Sequence, residues 1–88
     1  MQVFDFQETP QFSKRWSSLG LDDDDLLALQ IRLMDNPEEG PVIPGSGGYR
    51  KLRLKLPGRG KRGSARVIYI IFREDEVIEL HNIYTKNQ

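Results

Sequence analysis

The chain has 88 residues, 13 basic and 13 acidic, with one histidine and no cysteine. That length fits one domain with a single modest core. The missing cysteines exclude a disulfide framework and a cysteine-bound zinc site, so a reducing cytoplasm is the expected compartment. No apolar run approaches the roughly 18–20 residues of a membrane span, and the opening MQVFDFQETP has neither the basic nor the apolar region of a secretory signal.

QVFDF, with Val3, Phe4 and Phe6, predicts a strand that ends before Glu8. Thr9 and Pro10 form a helix start, the first as N-cap and the second at the opening helical position. Phe12, Trp16 and Leu19 follow at i, i+4 and i+7, which predicts one buried stripe, and Gly20 suits a left-handed cap. A second helix starts at Asp22, with acids through its first turn and Leu21 and Leu26 as a hydrophobic staple, and runs to about Asn36. Its residues Leu26, Leu27, Leu29, Ile31, Leu33 and Met34 spread over an arc of about 200°, wider than one core-facing stripe requires, so two faces are expected to have partners. Gln30 lies inside that arc, as a satisfied polar residue or as part of a partner surface.

Asn36 and Pro37 stop the helix, and PEEGPVIPGSGG reads as a loop. In YRKLRLKL, Leu52, Leu54 and Leu56 alternate with Lys51, Arg53 and Lys55, a half-buried strand with one cationic face. PGRGKRGS is a turn-rich connection, ARVIYIIF is apolar on both faces like a central strand, REDE is a turn and VIELHNIY the last strand. The string is β-α-α-β-β-β, an α+β fold in which a helical hairpin covers one face of a mostly antiparallel sheet.

The zero net charge is a cancellation. Residues 1–40 carry three cations and nine anions, and residues 41–88 carry ten cations and four anions. Eight of those ten lie between Arg50 and Arg66, with no acid among them, the usual footprint of a nucleic-acid site. Lys51, Arg53 and Lys55 stand on one strand side about 7 Å apart, repel one another and add nothing to folding, so a polyanion between them makes better sense of the pattern.

Other constellations are weaker. GRGKRG at 58–63 has the glycine spacing of a dinucleotide fingerprint but is followed by a strand rather than a helix, and it reads equally as a hairpin loop or a backbone phosphate cradle. His81 is available for acid–base work, although its strand context favours a sheet-face residue without a catalytic task. The acids 22–25 point in different directions around a helix, so capping accounts for them better than a metal does.

The stretch NPEEGPVIPGSGGYRKLRLKLPGRGKRGSARVIYIIF, with LGLDDDDLLALQIRLMDNP before it and the terminal IYTKN, is similar to HigB-type toxins of the RelE/ParE superfamily of bacterial toxin–antitoxin systems. The combination of NP, G-x-V-I-P-G, G-G-x-R-K-x-R, P-G-x-G-K-x-G and A-R-V-I-Y is more specific than any one element. The resemblance implies a RelE-like fold and a ribosome-dependent messenger-RNA endonuclease, in which a 2′-hydroxyl attacks the adjacent phosphate without a metal or other cofactor. It assigns Lys51, Arg53 and Arg66 to the catalytic cluster, with Arg66 on transition-state charge and Lys51 or Arg53 on proton transfer, and it places Lys86 in the basic terminal segment of the site. Arg50, Lys55, Arg59, Lys61, Arg62 and Tyr84 are then RNA-contacting candidates. A cognate antitoxin, the ribosome and messenger RNA are the implied partners.

Two departures accompany the resemblance: relatives continue past the Y-x-K-N segment into an acidic stretch and a final helix, and His81 stands where they usually carry an apolar residue. The expectation is one RelE/HigB-like domain over residues 1–88 without that C-terminal helix, self-associating or partner-bound through its last strand or second helix. A gyrase-binding toxin like ParE, or an inactive RNA-binding remnant, are the competing readings.

Overall fold

The computed structural model describes residues 2–57 and 63–85. Six elements follow in order: β1 (Asp5–Glu8), α1 (Pro10–Ser18), α2 (Asp23–Asp35), β2 (Arg50–Lys55), β3 (Ser64–Phe72) and β4 (Val77–Thr85). The strands form one sheet in the order β1-β4-β3-β2, with β1 parallel to β4 and the other pairs antiparallel. The β-α-α-β-β-β string is the observed one. The first strand falls later than QVFDF suggests and includes Glu8, because β1 pairs with β4 only from Asp5↔Val77 to Glu8↔Leu80.

Thr9 ties helix to sheet. Its hydroxyl accepts the Phe12 N–H at 3.1 Å and donates to the His81 carbonyl on β4 at 2.6 Å, so one residue caps α1 and fixes where the helix leaves the sheet. Phe12 and Trp16 are buried and stacked with centroids 5.3 Å apart, and the Trp16 indole N–H donates to the Asp22 carbonyl. Gly20, at φ 78°, makes the left-handed turn between the helices. Asp22 and Asp25 then form a reciprocal capping box, each side chain accepting the other's backbone N–H at 2.9 Å. That bond to the Asp25 N–H holds the Asp22 carboxyl below its ordinary value.

From α2, Leu29 and Leu33 are fully buried, while Leu26 and Met34 pack against the core edge. The other side of the arc is uncovered in the chain itself, with Leu27 53% and Ile31 44% exposed. The sheet's helix-facing side supplies Leu52, Ala65, Val67, Tyr69, Ile78, Leu80 and Ile83, all buried. Strict alternation along β4 would turn Ile83 outward. Instead the register shifts between Val67↔Ile83, Ile68↔Asn82 and Tyr69↔Leu80, leaving His81 as the extra residue of a bulge. The bulge lets Leu80 and Ile83 share the core and gives His81 to the opposite side.

The loop after α2 is held to the sheet from below. Tyr69, fully buried, accepts the Gly40 N–H at 3.1 Å and donates to the Pro37 carbonyl at 2.7 Å. Burial pushes its hydroxyl above the ordinary tyrosine value. The same loop runs beside β2, where the Lys51 N–H donates to the Pro41 carbonyl. Among the described residues no helix is long and apolar enough to cross a membrane.

Candidate nucleic-acid interface

The cationic site follows from strand periodicity. Along β2, Leu52 is buried and Leu54 half-buried, and Lys51, Arg53 and Lys55 between them are exposed on the other side. On β3, Ala65, Val67 and Tyr69 are buried, which turns Arg66, Ile68 and Ile70 to the open side. The register sets Arg53 directly opposite Arg66 and Arg66 opposite Tyr84, one row across three strands. Lys51, Ile68 and Asn82 form the adjacent row. The face is therefore a cationic edge on a half-buried isoleucine floor, with a tyrosine at the far end of one row.

Two like charges directly opposite each other destabilise a strand pair. Among the described residues no acidic side chain is paired with Lys51, Arg53, Lys55 or Arg66; Arg66 has one bond of 3.3 Å, to the carbonyl of Ala65. The sheet thus carries a cluster of positive charge that the fold leaves uncompensated. A depression of about 360 Å³ opens at the β2 edge, lined by Arg32, Glu39, Pro41, Lys51, Leu52, Arg53 and Arg66. Its one carboxylate, Glu39, is engaged by Arg32 through two bonds of 2.9 and 2.7 Å, which hold it below its ordinary value and raise the Arg32 guanidinium. Glu39 is thereby paired where it stands, so Lys51, Arg53 and Arg66 leave the lining of the depression with an excess of positive charge.

Arg50 is placed differently from the other RNA-contacting candidates. It pairs with Tyr69 and its guanidinium donates to the carbonyls of Gly40 at 2.8 Å and Glu38 at 3.2 Å, so it braces the loop after α2. Arg59, Lys61, Arg62 and Lys86, with most of the glycine-rich segment, lie outside the described residues. Three residues of this region escape sequence reasoning. Arg32 and Glu39 meet only because the chain reverses at Asn36. Tyr49 stands immediately before β2, two residues ahead of Lys51, a spacing visible in the sequence. Its ring lies 4.9 Å from that of His81.

No family model matches the chain. Solved structures do resemble it. A free E. coli RelE toxin carrying two arginine-to-alanine substitutions matches with a TM-score of 0.69 at 16% identity, over 96% of this chain and 84% of that one. The intact E. coli RelBE toxin–antitoxin complex gives 0.67 at 16%, over 98% and 100%. An archaeal RelE–RelB complex from Pyrococcus horikoshii gives 0.63 at 22%, over 99% of each chain. The fold is the RelE fold, as the sequence motifs imply.

Proposed function

We propose that this chain is the toxin of a toxin–antitoxin pair, an endoribonuclease of HigB type that cleaves messenger RNA on the ribosome. The observation that carries the proposal is the uncompensated pair Arg53–Arg66 with Lys51 beside it on an open sheet face. The structural neighbours support it, being RelE toxins alone or with RelB antitoxins.

In the proposed reaction the 2′-hydroxyl attacks the adjacent phosphorus as the bond to the 5′-oxygen of the next nucleotide breaks, giving a 2′,3′-cyclic phosphate and a 5′-hydroxyl end. The need is for positive charge on the phosphoryl oxygens, positioning of the backbone and transfer of one proton from the nucleophile to the leaving oxygen. Arg66, in the middle of the row, stabilises the developing charge. A guanidinium keeps its proton, so of the β2 pair Lys51 takes the proton-transfer role and Arg53 clamps the phosphate. Lys55, farther along the edge, and Tyr84 hold flanking RNA. An open face accepts a strand presented by a larger particle, which accords with a messenger held by the ribosome.

A cognate antitoxin would neutralise this face with acidic side chains or pack an apolar helix on Leu27 and Ile31, one turn apart and exposed on α2. The test of function is to induce the chain in growing cells, map messenger-RNA ends and assay gyrase supercoiling. New 5′-hydroxyl ends within translated messages, absent with Lys51→Ala/Arg53→Ala, are expected with supercoiling unchanged. Lost supercoiling without new ends would identify a gyrase-binding toxin instead.

A further inference from the structure

Beside the charged row the open face carries an aromatic pair. Tyr49 and His81 come from distant parts of the chain, and their rings lie 4.9 Å apart at a 55° tilt, both half-exposed. Each is placed by a specific backbone device. Tyr49 leaves a tight loop in which Ser46 Oγ donates to the Ile43 carbonyl at 2.6 Å and accepts the Tyr49 N–H at 3.1 Å. Gly47 and Gly48, at φ 81° and 109°, bring the chain over Ile70 just before it. His81 is the extra residue of the β4 bulge, with its carbonyl held by the Thr9 hydroxyl. Its side chain stays 42% exposed while Nδ1 is buried, 3.5 Å from the Glu79 carboxylate.

The pair adjoins the cationic cluster. Tyr49 stands immediately before β2, two residues ahead of Lys51, and His81 precedes Asn82, which shares a row with Ile68 and Lys51. Cationic side chains beside an aromatic surface are the arrangement by which proteins hold single-stranded nucleic acid, the cations on the backbone and the rings on the bases. An aromatic pair serving only as core would be buried; these two residues are partly exposed.

We propose that Tyr49 and His81 form a stacking platform for the nucleobase next to the phosphate gripped by Lys51, Arg53 and Arg66. The proposal rests on the ribonuclease reading and adds a base-binding subsite to it. The ligand class is single-stranded RNA with an unpaired base, and the platform tolerates any base because every base offers a π-face.

The test uses two uncleavable 2′-O-methyl oligoribonucleotides of equal length and charge, one of ordinary bases and one abasic, with affinity measured by fluorescence anisotropy. The protein should bind the base-bearing oligomer more tightly. Tyr49→Ala and His81→Ala should each weaken that binding about tenfold, as loss of one stacking contact does, and leave the abasic oligomer unaffected. Tyr49→Phe and His81→Phe should retain it. The hydrogen bonds that seat Tyr49 and His81 are made by their backbones, so alanine leaves them in place. Alanine variants that bind the base-bearing oligomer as tightly as the unsubstituted chain would overturn the platform, with a Lys51→Ala/Arg53→Ala loss of both oligomers still upholding the RNA site. Failure to bind either oligomer, with no effect of that double substitution, would overturn the ribonuclease reading as well.

Discussion

Arg50 and Lys51 are chain neighbours, and the fold treats them oppositely. Arg50 faces the helix side, opposite the buried Tyr69, and donates to two carbonyls of the loop after α2. Lys51, one residue on, is exposed on the open side with Arg53 and Lys55. The difference extends to the whole sheet. One face is a continuous apolar surface of Leu52, Val67, Tyr69, Leu80 and Ile83 beneath two helices, and the other sets an arginine against an arginine. Clustered charge in itself does not mark a binding site, since a member of a basic run can be structural, as Arg50 is. What sets Lys51 and Arg53 apart from Arg50 is exposed charge on the open side, for which the described residues provide no acidic partner.

The contrast can be broken from either side, and the largest effect is expected on the covered face. Phe12→Ala removes a fully buried ring stacked on Trp16 and should cost about 3–5 kcal/mol in denaturant unfolding. Next comes Arg66→Ala on the open face. It should slow RNA cleavage about 10²- to 10³-fold, equivalent to roughly 2.7–4 kcal/mol of activation free energy, and leave unfolding within about 0.5 kcal/mol of the original. A variant that unfolds readily instead would make Arg66 a structural residue and erase the contrast.

A smaller effect, about 1–3 kcal/mol, is expected from Tyr69→Phe, which leaves the buried Gly40 N–H without its acceptor and the Pro37 carbonyl without its donor. The pH dependence has a definite sign. Because the folded-state value of Tyr69 is raised, its contribution is fully present below about pH 10, the unfolded value, and is lost as pH rises through the folded one. Alkaline unfolding curves of the original chain and the phenylalanine variant should therefore converge at high pH. The smallest effect is that of Lys55→Gln, which should leave stability unchanged or raise it by a few tenths of a kcal/mol by relieving like-charge repulsion. The same change should lower the salt slope of RNA binding by about 0.7, one single-strand phosphate contact. An unchanged slope would remove Lys55 from the interface.

Much of this was legible in the chain because it depends on local rules. Thr9-Pro10 and the acids from Asp22 specify helix starts by capping, and the alternation in YRKLRLKL puts the cations on one side by the period of a strand. The apolar arc of α2 was legible as too wide for one contact, and Leu27 and Ile31 are the part left uncovered. The pairing of β1 with β4, parallel and at the sheet edge, is absent from any local pattern, since it joins residues some 70 positions apart.

The sequence by itself determined the elements, their order and the sign of the face, because capping, periodicity and charge act over a few residues. Tertiary structure alone decided which cations meet. Register sets Arg53 against Arg66 and turns Arg50 to the loop, the chain reversal at Asn36 lets Arg32 pair with Glu39, and a one-residue bulge brings His81 to Tyr49. The physical reason is that strand register is settled by burying Leu80, Ile83, Val67 and Leu52 together, a condition on the whole core that no single strand carries in its own residues.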